Sequence, residues 1–416
     1  MKKNHLTKQL LSISLAGLLA SFAGSASASG FQLFQYNGAS VGDANAGGAA
    51  IADDASTNFT NAAGLVRLKR PQIVVSANQV LTQNKFTGMS SLLGSGAVSN
   101  NGSGTIPSLH YGSPINDKWS VGFSATVPFG NSSDFPSDGF QRLYATKSTI
   151  QTINLSPSLT YKFNDKFSFG AGFDAQRMSA TLNQVVRPGV ADIVNEASGW
   201  GYGWHAGVLY QFTPATRVGL SYRSQVSQSL SGTSTLNSLT TGAPLAVSNA
   251  LTTNITLPAM TTLSIYHDVT SKWALMASVN YTQWNSIQNI TLNGLALAAP
   301  NNTATITQNY SNTWRASVGT AYAINDKWLV RAGVGYDQTP TNDAARIIRL
   351  PDNDRWLVAV GARFRITKQL ALDMGWTHIF IKDASINNRS ATAGSLTGNF
   401  KNSADVIGAQ LTYDFM

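Results

Sequence analysis

A hydrolytic centre needs a nucleophile within hydrogen-bond reach of a base, and this chain has few bases. After the first 28 residues its histidines are His110, His205, His267 and His378, and only His267 adjoins an acid, Asp268. Ser264 stands three residues before His267, which on a strand sends the two side chains to opposite faces. A barrel lipid hydrolase is therefore the weaker reading, and His267 reads as an interfacial residue near a turn. Cysteine is absent and no residues have metal-ligand spacing. Gly170-Ala171-Gly172, Gly201-Tyr202-Gly203 and Gly333-Val334-Gly335 look like pieces of a nucleotide loop, but none opens a helix inside a strand-helix-strand unit. No catalytic residue, metal, cofactor or nucleic-acid partner is expected. What remains is arginine, whose guanidinium forks onto a carboxylate. A two-residue period puts Arg223, Arg315, Arg331 and Arg363 on the face opposite Tyr222, Val318, Val330 and Val360, where pairing with the acids Asp43, Asp53 and Asp54 is the competing use. Arg177 falls on the outer face, suited to lipid phosphates.

Those faces belong to long alternating strands. In Trp119 to Val127, apolar Trp119, Val121, Phe123, Ala125 and Val127 alternate with Ser120, Gly122, Ser124 and Thr126; the runs Ile153 to Phe163 and Trp356 to Phe364 repeat the pattern. Such runs reach ten or more residues, beyond the roughly 5 to 6 of a soluble sandwich and near the length of a membrane strand. Hydrophobic residues make up 43% of the chain and charged ones 12%, yet no apolar run past residue 28 is as long as a membrane helix. A closed barrel, which pairs every backbone group between strands, is the remaining way to live in a bilayer. Lys2, Lys3 and Lys8, the apolar run Leu10 to Phe22 and Ala26-Ser27-Ala28 predict a cleaved signal peptide over residues 1–28, so an exported chain folds without disulfides.

The turns recur too. Asn116-Asp117-Lys118-Trp119, Asn164-Asp165-Lys166-Phe167 and Asn325-Asp326-Lys327-Trp328, with Thr270-Ser271-Lys272-Trp273 as a variant, read as short periplasmic hairpins carrying interfacial aromatics. The polar stretches Leu230 to Asn249 and Asn293 to Asn309 read as external loops. Fourteen strands are expected, near 70–85, 104–114, 118–130, 148–163, 167–184, 199–212, 216–230, 252–269, 272–288, 309–324, 328–340, 353–366, 369–385 and 402–415. The fold expected is all-β, a 14-stranded antiparallel transmembrane barrel over 70–416. Residues 29–69, rich in Gly, Ala, Asn and Ser around Ile51, Phe59 and Leu65, form an N-terminal hatch in its lumen.

Several stretches resemble the FadL-type outer-membrane transporters of long-chain fatty acids and hydrocarbons: Ser29-Gly30-Phe31-Gln32-Leu33, Ala49-Ala50-Ile51-Ala52-Asp53-Asp54-Ala55, Val127-Pro128-Phe129-Gly130, Gly219-Leu220-Ser221-Tyr222-Arg223-Ser224 and Leu350-Pro351-Asp352-Asn353-Asp354-Arg355-Trp356. Where that family often has Asn-Pro-Ala, this chain has Asn61-Ala62-Ala63. The resemblance implies passive uptake into the outer membrane. Ligand would settle in an apolar groove between external loops, pass to a pocket at the hatch N-terminus, and leave sideways where the third strand kinks at Pro128, Phe129 and Gly130. Pro128 cannot donate to a ladder and Gly130 relaxes the backbone beside it.

Groove candidates are Val185, Val186, Val190, Ile193 and Val194, with helical spacing from Val190 to Val194, and Leu236, Leu239, Leu245 and Val247. Pocket candidates are Phe31, Leu33 and Phe34 with the four lumen arginines; Asp53, Asp54 and Asn61 belong to the hatch. Long-chain fatty acid is the expected cargo of a monomer bathed in outer-membrane lipid and lipopolysaccharide. An aromatic or alkane channel is the alternative, and a water-filled porin is disfavoured because the hatch would block it.

Overall fold

The computed structural model describes residues 30–297 and 302–416; the expected signal peptide lies outside them. Twenty β segments form fourteen strands, six of which are interrupted. In chain order the strands are Gln72–Ser90; Gly94–Ser99 with Gly102–Pro114; Trp119–Thr126 with Gly130–Asp134; Lys147–Lys162; Phe167–Arg187; Ala191–Thr213; Thr216–Arg223 with Val226–Ser238; Pro244–Leu257 with Met260–Asp268; Trp273–Thr282 with Asn289–Asn293; Thr303–Thr307 with Thr313–Ala323; Trp328–Asp337; Arg355–Arg365; Leu370–Ser390; and Gly394–Asp414. Each pairs antiparallel with its neighbour, and the first closes on the last from Gln72↔Asp414 to Ser90↔Leu396. The sheet has no free end. Alternation sorts the faces: in the last strand Ile407, Leu411 and Tyr413 point outward, while Val406, Gln410 and Thr412 are buried in the lumen.

The short turns share one device. Asn116 Oδ1 accepts from the backbone N–H of Lys118 and of Trp119, both at 2.9 Å. Asn164 and Asn325 do the same for Lys166 with Phe167 and for Lys327 with Trp328, and Thr270 does it with its hydroxyl. A side-chain oxygen thus supplies the acceptor that a tight backbone turn lacks.

The opposite rim departs from expectation. Leu230 to Asn249 is a hairpin rather than a loop, with its turn only at 239–243, and Asn293 to Asn309 contains the strand Thr303–Thr307. The helical spacing from Val190 to Val194 is likewise overridden, since the fifth and sixth strands run on to a turn at 188–190. Above the bilayer both faces meet water, so nothing selects apolar alternation there, while the ladder continues regardless. At ~3.3 Å per residue the 23-residue sixth strand is about 75 Å long, far more than an apolar band of about 25 Å needs at a 45° tilt.

Residues 30–71 lie inside, with short helical turns at Ser40–Asp43, Thr57–Thr60 and Ala62–Arg67. Their backbone rests directly on wall glycines: a methyl added to Gly42 would sit 2.7 Å from Gly361 Cα. Small residues on both sides of that contact are a steric requirement.

Candidate functional site

The third strand pairs with the second only as far as Leu109↔Ala125. It pairs with the fourth at Thr126↔Asn154 and resumes at Gly130↔Gln151. Four steps on the third strand thus oppose three on the fourth, and the surplus turns inward. There it meets the hatch: Leu33 N–H donates to Pro128 O and Gly130 N–H to Phe31 O, each at 2.8 Å, making a single antiparallel bridge between Gln32 and Phe129. The second strand from Gly102 to Ser108 therefore pairs with the first strand alone. Above this window the wall closes again, where Asp134 N–H donates to Asn100 Oδ1 at 2.8 Å. From Asn100 to Leu109 the window is about 30 Å along the strand.

Over the kink lies a cavity of about 70 Å³ lined by Phe31, Met178, Leu230, Leu251, Ile255, Leu292 and further apolar residues. Of its lining, Phe31 and Tyr310 belong to an edge-to-face cluster with Phe129 and Trp284, the Phe31 and Trp284 centroids 5.0 Å apart. One wall residue is charged. Arg349, on the segment joining the eleventh and twelfth strands, donates to Lys147 O (3.0 Å), Ser148 Oγ (2.7 Å) and Gln184 Oε1 (2.8 Å). Among the described residues it has no carboxylate partner. Burial pulls its pKa down to about 10, which leaves it cationic at neutral pH. An apolar chamber with one unneutralised guanidinium can hold an amphiphile by both ends.

The four arginines chosen by parity do face inward, but none lines this cavity. Arg223 is ion-paired with Asp174 and stacks 4.0 Å over the Phe59 ring, bordering a second cavity of about 50 Å³ that also touches Phe34. Arg331 and Arg363 converge on Asp373 at 2.5 and 2.9 Å, and Arg363 reaches Asp53 at 3.1 Å and Asp54 at 3.5 Å, tying hatch to wall. Arg315 lies 4.2 Å over Phe34 and donates to Ala44 O. Asp43 makes no ion pair among the described residues, and burial pushes it up to about 7. Asn61 caps Ala62–Arg67 by accepting from Ala63 N–H and donates to Ala49 O (2.8 Å) and Val208 O (2.9 Å). Proline suits the first helical position after such a cap, and Ala62 fills it here. Arg177 lies on the exposed wall and donates to Ser198 Oγ.

Phe31 floors the cavity, and Leu33 packs with Ile106 and Val127 beside the window. Of the groove candidates, Ile193, Val186 and Leu236 gather with Leu251, Leu292 and Leu295, and Val194 is half-buried. Val185 packs instead with Leu143 and Ala393, whereas Val190, Leu239, Leu245 and Val247 are exposed. The last two are turned out by a bulge, three steps from Ser248 to Leu251 opposing two from Gly232 to Ser234. Ser264 bonds Ser278 and His267 bonds Thr216, so those two never meet. Sequence reasoning missed Ser158, His205 and Asp174, linked at 2.8 and 3.0 Å. All three are buried, and Arg223 occupies the carboxylate. It missed Arg349 as well, whose only sequence signal is an arginine pair among Ile347, Ile348 and Leu350 in an otherwise polar stretch.

The family described as "Outer membrane protein transport protein (OMPP1/FadL/TodX)" matches residues 19–415. A long-chain fatty acid transport protein of Escherichia coli O6:H1 is 30% identical, covering 91% of this chain and 92% of that one. The 47 kDa outer membrane protein of Pasteurella multocida is 29% identical over 96% and 97%. The crystal structure of a Pseudomonas aeruginosa FadL homologue superposes with a TM-score of 0.83 at 27% identity, covering 93% of this chain and all of that one. The Ralstonia pickettii toluene transporter shares the fold, with a TM-score of 0.69 at 18% identity over 92% and 100%.

Proposed function

The chain belongs to the OMPP1/FadL/TodX family of outer membrane transport proteins, and from that premise we propose a route for it. It is an outer-membrane transporter, not an enzyme, and it passes hydrophobic compounds inward without an energy source. Long-chain fatty acid is the cargo this reading favours. The observation that carries it is Arg349, a buried cation with no acidic partner among the described residues, set in the wall of an apolar cavity floored by Phe31. Val186, Ile193 and Leu236 lead the acyl chain down, Arg349 takes the carboxylate, and the tail lies against Phe31 and Met178.

Exit is sideways, through the window at Pro128 to Gly130. Each methylene released into water costs about 0.8 kcal/mol, so a sixteen-methylene chain would lose about 13 kcal/mol in the periplasm and none in the bilayer. The barrel acts as a monomer, the cavity and window both lying within one chain, and the signal peptide over 1–28 delivers it. The test is uptake of labelled oleate and of toluene by cells lacking their own transporter, expressing this chain or its Arg349→Gln variant. Loss of oleate uptake with toluene uptake retained supports the fatty-acid reading; equal retention of both favours a neutral hydrocarbon.

A further inference from the structure

We propose that the outer wall at the thirteenth, fourteenth and first strands binds the phosphates of the anionic glycolipid that forms the outer leaflet. Lys85 and Lys401 are directly opposite across the closing pair of strands. Both point outward, since Asn84 and Phe86 on one strand and Phe400 on the other are buried in the mouth. Side chains so placed have Cβ atoms about 5 Å apart, and like charges there repel. A bulge brings in a third: between Ile381↔Asn402 and Ala384↔Phe400 the thirteenth strand inserts Lys382 and Asp383 opposite Lys401 alone. Three ammonium groups thus share one level across three strands. Among the described residues none has an ion-pair partner.

Their height selects the partner. Phe380, exposed, pairs with Ser403 two residues below Lys401, and Trp376 pairs with Ile407 below that. The lysines therefore stand just beyond the aromatic edge of the apolar band, on the rim opposite the short Asn-Asp turns, where outer-leaflet headgroups lie. Of the nearby acids, Asp405 is four residues below Lys401 and engaged by His378 at 2.9 Å and Trp376 at 3.1 Å. Asp354, whose carbonyl oxygen accepts from Lys382 N–H at 2.9 Å, is also near, its carboxylate accepting from the Tyr336 hydroxyl and from Thr339 N–H, each at 3.0 Å; with Asp383 it offsets two of the three charges, and the row stays cationic. A phosphate monoester seated between Lys85 and Lys401 converts a repulsive pair into a bridge.

The inference rests on the barrel's orientation and not on its cargo. Purified protein is titrated with bisphosphorylated lipid A, with dephosphorylated lipid A and with phosphatidylglycerol, and retained lipid is counted by native mass spectrometry. The wild type should retain one bisphosphorylated molecule. The variant K85Q/K382Q/K401Q should retain at least tenfold less, while K118Q/K166Q/K327Q, on the opposite rim, should match the wild type. Heat-modifiable gel migration verifies that each variant is folded, and oleate uptake, measured alongside, should be unchanged. Equal retention by K85Q/K382Q/K401Q, or wild-type retention of dephosphorylated lipid A or phosphatidylglycerol as strong as that of the bisphosphate, overturns the assignment.

Discussion

Replacing Arg349 by Gln removes the cation while keeping an amide that can still donate to Ser148 and Lys147. A hydrogen bond to a charged group contributes about 1.5 to 3 kcal/mol net, which is roughly 10- to 150-fold in affinity. That loss should fall on oleate alone. The apolar lining of the cavity, Phe31, Met178, Leu230 and Ile255 among it, is untouched by the substitution, so methyl oleate should bind the variant as it binds the parent. The readout is the ratio of oleate to methyl oleate affinity, measured by competition against a labelled ligand on purified barrel in amphipol. Arg349 also fastens its segment to Lys147 and Gln184, and loosening that segment would weaken both ligands together. The ratio separates the two effects: a fall of tenfold or more supports the carboxylate role, and an unchanged ratio, whatever the absolute affinities, refutes it.

Restoring a pairable third strand with P128V/G130A should cut oleate uptake severalfold without altering equilibrium binding, because a Cβ on Gly130 meets Leu33 Cδ1 at 3.0 Å and otherwise only ordinary contacts with Ile150 O at 3.6 Å and Leu33 Cγ at 3.9 Å; undiminished uptake would sink the sideways exit. Asn61→Ala removes a cap and two buried bonds to Ala49 and Val208, a cost of about 1 to 3 kcal/mol, and should lower the melting temperature and raise ion conductance in planar bilayers; an unchanged Tm and conductance would contradict the anchoring role. Asp43 is pushed up to about 7 by burial, so its proton stabilises the docked hatch fully below the ordinary carboxylate range, and that contribution is lost as pH rises through about 7. Conductance should therefore climb between pH 4 and 8 in the parent and stay flat in Asp43→Asn; parallel curves would rule out Asp43 as the sensor.

What could be read in advance follows the solvent each residue meets. Lipid on one side and a packed lumen on the other impose strict alternation, so all fourteen spans were legible, and their lower ends agree within about two residues because Asn116, Asn164 and Asn325 mark the turns. Where strands rise into water the constraint lapses, and Ala191 to Ser198 reads as loop though it is ladder. Parity also found four lumen arginines, but parity cannot say which have acids waiting: Asp174 is 49 residues from Arg223 and Asp373 is 42 from Arg331, although Asp373 is also the cross-strand neighbour of Arg363. Arg349 sits on an irregular segment where parity has no meaning.

The same contacts bear on whether cargo passes through the hatch or around it. Moving the hatch aside would break the Arg363 links to Asp53 and Asp54, the Asn58 bonds to Ser124 and Ser156 and the close fit of Gly42 on Gly361. Arg363 would keep Asp373, but buried Asp54 would lose its guanidinium, and a buried charge left alone costs several kcal/mol. At the kink, by contrast, hatch and wall share two backbone hydrogen bonds around one bridge, about 1 kcal/mol apiece. On the proposed route, a shift of Phe31 to Leu33 would free Pro128 to Gly130 at the cost of those two bonds and of the Thr282 bond to Gln32, leaving the ion pairs untouched. That difference favours the sideways exit proposed above, and an acyl chain released there would enter the bilayer rather than water.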